Sequence, residues 1–102
     1  MDIGDVTVET FAGREGEAFT IEFADAKLEL TLAAVEGMPE DWGRGDRREP
    51  FTLTFQGTAE HLLPQQIWPL DHPEIGRLEM FLVPLGPDEN DPERIRYEAV
   101  FT

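Results

Sequence analysis

Hydrophobic and polar residues alternate along most of the chain with a period of two, which is typical of β-strands that bury one face. Six segments have this alternation or an extended apolar pattern: residues 17–24, 27–36, 51–57, 66–72, 75–85 and 95–101. Segment 37–50 carries three glycines, two prolines and seven charged residues, which indicates a long loop. The pattern predicts a mainly β protein, a small six-stranded antiparallel barrel or sandwich.

The pattern predicts at most one short helix, near the N-terminus. Thr7 is a suitable N-cap for a single turn that reaches Phe11, and Gly13 can end it. A chain of 102 residues has the length of one domain. Residues 1–102 are therefore predicted to form a single β domain.

Apolar side chains at alternating positions define the predicted core. Between residues 78 and 83 both faces are apolar, which predicts a strand covered on both sides or closed into a barrel. The residues predicted to face the interior are Phe19, Ile21, Phe23, Leu28, Leu30, Leu32, Phe51, Leu53, Phe55, Phe81, Val83, Tyr97 and Phe101.

His72, Pro73 and Gly76 have the pattern of a hairpin corner. The residue before a proline favours extended geometry, proline fixes φ, and glycine adopts positive φ without strain. We expect the His72 ring to bond nearby backbone at this corner. A role for His72 in chemistry is the weaker alternative.

Few residues suited to catalysis or metal binding are present. The chain has no cysteine and no serine, and its two histidines, His61 and His72, lack the i,i+4 spacing of a helical zinc site. The oxygen-rich segment 88–93 lacks the glycine and the spacing of an EF-hand loop, which favours a solvated turn over a calcium site. We expect a non-enzymatic protein without a metal or other cofactor.

Acidic residues outnumber basic residues by 22 to 8, which gives a formal net charge of −14. This charge repels nucleic-acid phosphates and anionic lipids, so we expect neither as a partner. The N-terminal segment lacks the basic and apolar regions of a signal peptide, and no stretch has the length of a membrane span. The sequence predicts a cytoplasmic protein, or one assembled into a larger particle.

Aromatic residues outside the strand cores are candidates for a binding surface. Trp42 lies near Arg44 in the long loop, and such residues anchor protein interfaces or stack on sugars. Pro69 has no N–H to donate, so its strand is predicted to lie at a sheet edge or to contain a bulge. Gln65 and Trp68 lie close to it in sequence. These five residues form the predicted interaction surface, and its partner is another protein or, alternatively, a carbohydrate.

Three segments resemble a family of small bacterial domains of unknown function. They are "REPFTLTFQG", "LLPQQIWPLDHPEIGRLEMFLVPLGPDEND" and "RYEAVF", which carry the family's Arg-Glu-Pro-Phe strand, His-Pro-x-x-Gly corner, Phe-Leu-Val-Pro strand and Tyr-Glu-Ala-Val-Phe terminus. The chain departs from the family at Gln66, where a glycine is usual. The resemblance implies no reaction. It implies a genomic setting near proteins that resemble phage tail-collar or tail-fibre components, and hence a structural or assembly accessory.

Overall fold

The computed structural model describes residues 5–22, 26–37 and 50–101. In these ranges one helix and six strands follow one another: α1 Val8–Phe11, β1 Ala18–Glu22, β2 Lys27–Gly37, β3 Phe51–Thr58, β4 Gln66–His72, β5 Gly76–Pro87 and β6 Arg94–Phe101. All strand pairs are antiparallel, and the sheet closes into a barrel in the order β1-β2-β3-β6-β5-β4. The predicted mainly β fold is confirmed, and of its two alternatives the barrel is correct.

Strand β3 shows how the sequence produces this barrel. Every second residue from Phe51 to Gly57 is buried, and the polar residues between them are half-buried on the outer face. Aromatic and β-branched residues favour this pleated setting. β3 pairs with β2 on one side and with β6 on the other.

The short N-terminal helix is confirmed. Thr7 is its N-cap, and the Thr7 backbone N–H donates to Thr10 Oγ1 at 3.1 Å. Gly13 follows the helix at φ 78°, a left-handed conformation that glycine adopts without strain.

Phe11 of α1 closes one end of the barrel. Its ring centroid lies 6.2 Å from that of Phe19, 5.9 Å from that of Phe51 and 6.0 Å from that of Phe101. Phe51 and Phe101 are partners in the β3–β6 ladder, and their rings stack at 4.6 Å. The helix thus supplies an apolar plug where β3 begins.

The segment between β3 and β4 covers the other end of the barrel. Leu63 is buried, and its backbone N–H donates to the Tyr97 hydroxyl at 3.0 Å. Tyr97 extends from β6 into the interior, where a buried hydroxyl needs a hydrogen-bond partner. This bond attaches the segment to the core.

Phe81 and Val83 do not face the interior, so this part of the predicted core is wrong. Phe81 is exposed and Val83 is half-buried, while Leu78, Met80 and Leu82 fill the barrel. Both faces of this strand are apolar, so alternation alone does not decide which set points inward. The pairing of β5 with β4 and β6 decides it, because shifting the register by one residue exchanges the two faces.

The other predicted core residues within the described ranges are buried: Phe19, Ile21, Leu28, Leu30, Leu32, Phe51, Leu53, Phe55, Tyr97 and Phe101. Phe23 and the loop residues Trp42 and Arg44 lie outside the described residues. No helix in the described ranges combines the length and hydropathy that a membrane span requires.

Candidate functional site

An apolar patch lies on the outer face of β4, β5 and β6. Ile67, Phe81 and Val100, one on each strand, are 60%, 49% and 49% exposed. Ile67 and Phe81 are partners in the β4–β5 ladder. β5 pairs with β6 in antiparallel fashion at Val83 and Glu98. Phe81 is two residues before Val83 and Val100 is two residues after Glu98, so both lie in the same direction from this pair. We call Ile67, Phe81 and Val100 the outer apolar patch.

Alternation within each strand turns these side chains outward. Met80 and Leu82 flank Phe81 and fill the interior, so the period of two leaves Phe81 on the outside. Val100 lies between two buried residues in the same way. Contiguous exposed apolar side chains mark interaction sites more often than single ones do, so the patch is the leading candidate for a binding surface.

Three glutamates lie on strands of the outer apolar patch or on β2, which β3 separates from β6. Glu79 precedes it on β5 and Glu98 precedes it on β6. Glu36 on β2 pairs with Thr52, which is also the β3 partner of Val100. None of these three glutamates forms an ion pair with a residue that the structure describes. The patch therefore combines an apolar centre with glutamates that form no ion pair among the described residues.

The described residues of the predicted interaction surface lie on both sides of β4. Pro69 is half-buried and two residues from Ile67, on the outer face. Trp68 packs against the core, and its indole N–H donates to the Pro64 carbonyl at 3.0 Å. Gln65 is exposed just before β4. The structure thus places Pro69 next to the outer apolar patch and turns Trp68 away from it.

Trp68 borders a separate groove at the end of the barrel. The groove has a volume of about 390 Å³ and lies between the start of β2 and residues 61–64. Leu62, on its wall, is 62% exposed. Its lining is mainly apolar, whereas a sugar needs hydrogen-bonding groups beside the aromatic ring as well. This groove therefore favours apolar contacts over sugar binding.

His72 is the last residue of β4 and has a buried side chain. Its Nδ1 accepts hydrogen bonds from the backbone N–H groups of Glu74 at 3.1 Å and Ile75 at 3.2 Å. A neutral imidazole has one donor and one acceptor, so Nε2 carries the proton and donates to Glu17 Oε1 at 2.6 Å. Gly76 follows at φ 90°. Both ring nitrogens are thus engaged in holding the hairpin to the segment before β1.

Arg14 extends this cluster towards α1. Its guanidinium donates to Glu17 at 3.2 Å, to Glu74 at 3.3 Å and to the Thr10 carbonyl at 3.0 Å. The hydrogen bond from His72 lowers the pKa of Glu17 below its ordinary value, and Arg14 lowers it further. The ionised form of Glu17 is therefore the one that this cluster stabilises.

Replacing His72 is expected to destabilise the hairpin corner. His72→Ala leaves the Ile75 N–H buried without its acceptor, so the free energy of unfolding should fall by about 2 kcal/mol. His72→Asn keeps an acceptor at this position and should cost about half as much. Urea unfolding of both variants measures the two losses in the free energy of unfolding. Equal losses, or none, would contradict the assignment of His72, with Pro73 and Gly76, to a structural corner.

Glu17 should contribute to stability above its ordinary pKa and lose this contribution as the pH falls. Because its pKa is lowered on folding, protonation below that pKa removes an interaction that only the folded state has. The wild type should therefore exceed Glu17→Gln in stability near pH 6, and the difference should shrink through the acid range. Chemical unfolding of both proteins over a pH series measures it. A stability difference between the two proteins that stays constant or grows towards acid pH would contradict this prediction.

The acidic segment 88–93 forms the turn between β5 and β6. The Asp88 carboxylate accepts the Asn90 backbone N–H at 2.8 Å and the Gln56 side-chain amide at 2.6 Å. The bond from Asn90 is the largest cause that lowers the pKa of Asp88. Among the described residues, no three histidine or carboxylate side chains group together as ligands of one metal ion. These carboxylates instead shape the turn by bonding nearby backbone.

Sequence reasoning missed the outer apolar patch because it placed Phe81 in the core. The available signal was the apolar composition of both faces between residues 78 and 83. A strand with two apolar faces in a one-layer barrel must leave one of them outside. Ile67 and Val100 can be recognised as part of the patch only after the register places them on the strands beside Phe81.

The geometry defines a small closed antiparallel β-barrel with an apolar helical plug and an acid-rimmed apolar patch on its outer face. Residues 6–101 match the family model described as Domain of unknown function (DUF6916), so the chain belongs to this family. No curated protein and no solved structure matches the chain significantly.

Proposed function

We propose that this domain is a non-enzymatic protein-interaction module that binds a partner protein through the outer apolar patch. The observation that carries the proposal is the exposure of Ile67, Phe81 and Val100 on three neighbouring strands. Aromatic and aliphatic side chains at the centre of an interface provide most of its binding energy. A partner that covered these three residues would remove their apolar surface from water.

Closure of the barrel supports binding through side chains rather than through an added strand. β4 pairs with β5 over its whole length and also with β1, at Thr20 and Asp71. Strand addition requires a free row of backbone N–H and C=O groups. Binding through side chains on the outer face requires no free strand edge.

The finer proposal is that the domain is an accessory of a phage-tail-like particle, in contact with a collar-like or fibre-like protein. Its support is the resemblance to bacterial domains with such genomic neighbours. A closed and plugged barrel provides a scaffold for an interaction patch, as a structural accessory needs. Fold alone implies no such role, so the identity of the partner has to be measured.

Carbohydrate binding through an exposed tryptophan has less support. The Trp68 indole N–H is already bonded to the Pro64 carbonyl, and the groove beside it is mainly apolar. A glycan panel monitored by tryptophan fluorescence tests this alternative. A saturable response that Trp68→Phe abolishes would favour it over protein binding.

Affinity capture from lysate of the native host, with identification by mass spectrometry, tests the proposed function. The wild type should retain one partner at near-stoichiometric yield, and Phe81→Ser should lose most of it. The matched control is Leu62→Ser, which removes a still more exposed apolar side chain outside the patch. This control should retain the partner.

Two outcomes would overturn the proposal. Either the wild type captures no protein above background, or Phe81→Ser and Leu62→Ser capture the same partner at wild-type yield. Circular dichroism of both variants checks folding. Since both substitutions are at exposed positions, their spectra should match that of the wild type.

A further inference from the structure

We propose that the partner of the outer apolar patch is a cationic segment of another protein, with lysine or arginine side chains on either side of an apolar anchor. This inference rests on the proposed function and adds the chemistry of the partner. Its basis is the charge around the patch, independent of the apolar exposure that identified the site.

The carboxylates beside the patch form no ion pair with a described residue, although Glu79 lies close enough to Arg77 to add to the rise that Asp71 causes in the pKa of that arginine. Glu79 is exposed next to Phe81, and Glu98 is half-buried next to Val100. A partner that brings apolar side chains onto the patch also reduces the hydration of these carboxylates. Cations on the partner would compensate for this loss, whereas neutral or acidic side chains would not.

Arg77 and Arg96 lie two residues before Glu79 and Glu98 on the same strands, and neither arginine forms an ion pair with these glutamates. Arg77 makes a two-pronged ion pair with Asp71, with N–O distances of 2.8 and 2.9 Å. Arg96 is half-buried, and its Nε is shielded from solvent. Among the described residues no cation pairs with these two glutamates, so both carboxylates are available to a cation of a partner.

A second copy of this chain is a poorer occupant. Two copies that met through the patch would place Glu79 and Glu98 of each against an acidic surface, and each copy carries a net charge of −14. Like charges across an interface suppress association. Charge complementarity therefore selects a basic partner over self-association.

A yeast-displayed library of random short peptides, sorted for binding to the folded wild-type protein, tests the inference. The selected peptides should be enriched in lysine and arginine beside aromatic or aliphatic residues, and added salt should weaken their binding. Phe81→Ser should reduce the binding of individual selected peptides at least about tenfold, whereas Leu62→Ser should not.

Two double charge-reversal variants distinguish the effect of charge beside the patch from the effect of the net charge. Glu79→Lys with Glu98→Lys should invert the preference towards acidic peptides. Glu9→Lys with Glu93→Lys changes the net charge equally at exposed sites away from the patch and should leave the preference unchanged. Equal inversion by the two pairs would overturn the inference.

The remaining outcomes separate the inference from the proposed function. Selected peptides that need Phe81 but are neutral or acidic would overturn the cationic partner and leave protein binding at the patch intact. Selected peptides that bind Phe81→Ser as well as the wild type, or a library without binders, would count against both. Salt-promoted dimers in sedimentation that Phe81→Ser abolishes would replace the cationic partner with a second copy.

Discussion

Phe11→Ala is expected to lower the free energy of unfolding by about 3–5 kcal/mol, because it removes the plug from one end of the barrel. The ring contacts Phe19, Phe51 and Phe101, and four residues of helix have little stability of their own once this contact is lost. Urea unfolding, with the midpoint and slope fitted separately, measures the change.

Phe81→Ala is the matched control, since it removes the same side chain from the outer face. It should cost less than about 1 kcal/mol, because no cavity forms at an exposed site. A Phe81→Ala loss as large as that of Phe11→Ala would contradict the assignment of Phe81 to the outside. A Phe11→Ala loss below about 1 kcal/mol would contradict the plug.

Gly57→Val is expected to lower the free energy of unfolding by about 3 kcal/mol, because the interior has no space for a side chain there. A Cβ at Gly57 would lie 2.6 Å from Leu30 Cδ2 and 3.4 Å from Tyr97 Cε2. Both neighbours are fully buried, so neither can move without disturbing the core. Thermal and urea unfolding measure the loss.

Gly37→Val is the control for this substitution. Gly37 is also a strand glycine, and a Cβ there would meet no atom within 4 Å. Its substitution should change stability by less than about 0.5 kcal/mol. Equal effects at the two glycines would show that strand conformation, and not close packing at Gly57, limits the choice of residue.

Most of the barrel could be predicted from the sequence because its strands bury one face. In β3, Phe51, Leu53 and Phe55 alternate with polar residues, so a period of two identifies both the strand and its inward face. The closing of the sheet into a barrel, instead of two packed sheets, could not be predicted. It depends on pairing between β1 and β4, whose partners Thr20 and Asp71 are half the chain apart.

The candidate site was less predictable than the fold. Pro69 lies beside the patch. The edge position or bulge predicted for its strand from the missing N–H is wrong, because β4 pairs with both β1 and β5 in a closed barrel and has no register shift against β5. Phe81 was assigned to the core because hydrophobicity was its only available signal, and an apolar side chain at an interface has the same signal as one in a core. Only the three-dimensional register distinguishes these two environments.

The network around His72 illustrates a related limit. Its position before Pro73 and Gly76 predicted a corner, but its half-buried contact with Glu17 joins residues 55 positions apart. No local pattern encodes such a pair. The shape of the turn is thus readable from sequence, whereas the tertiary bond that fixes it to the segment before β1 is not.

The central claim is that the outer apolar patch is where this domain meets its partner. Site-specific photo-crosslinking in native host lysate tests it most directly, with p-benzoylphenylalanine placed at Phe81 in one protein and at Leu62 in another. We predict one dominant protein adduct from position 81 and none from position 62 after irradiation. The same partner crosslinked from position 62 and not from position 81 would contradict the claim.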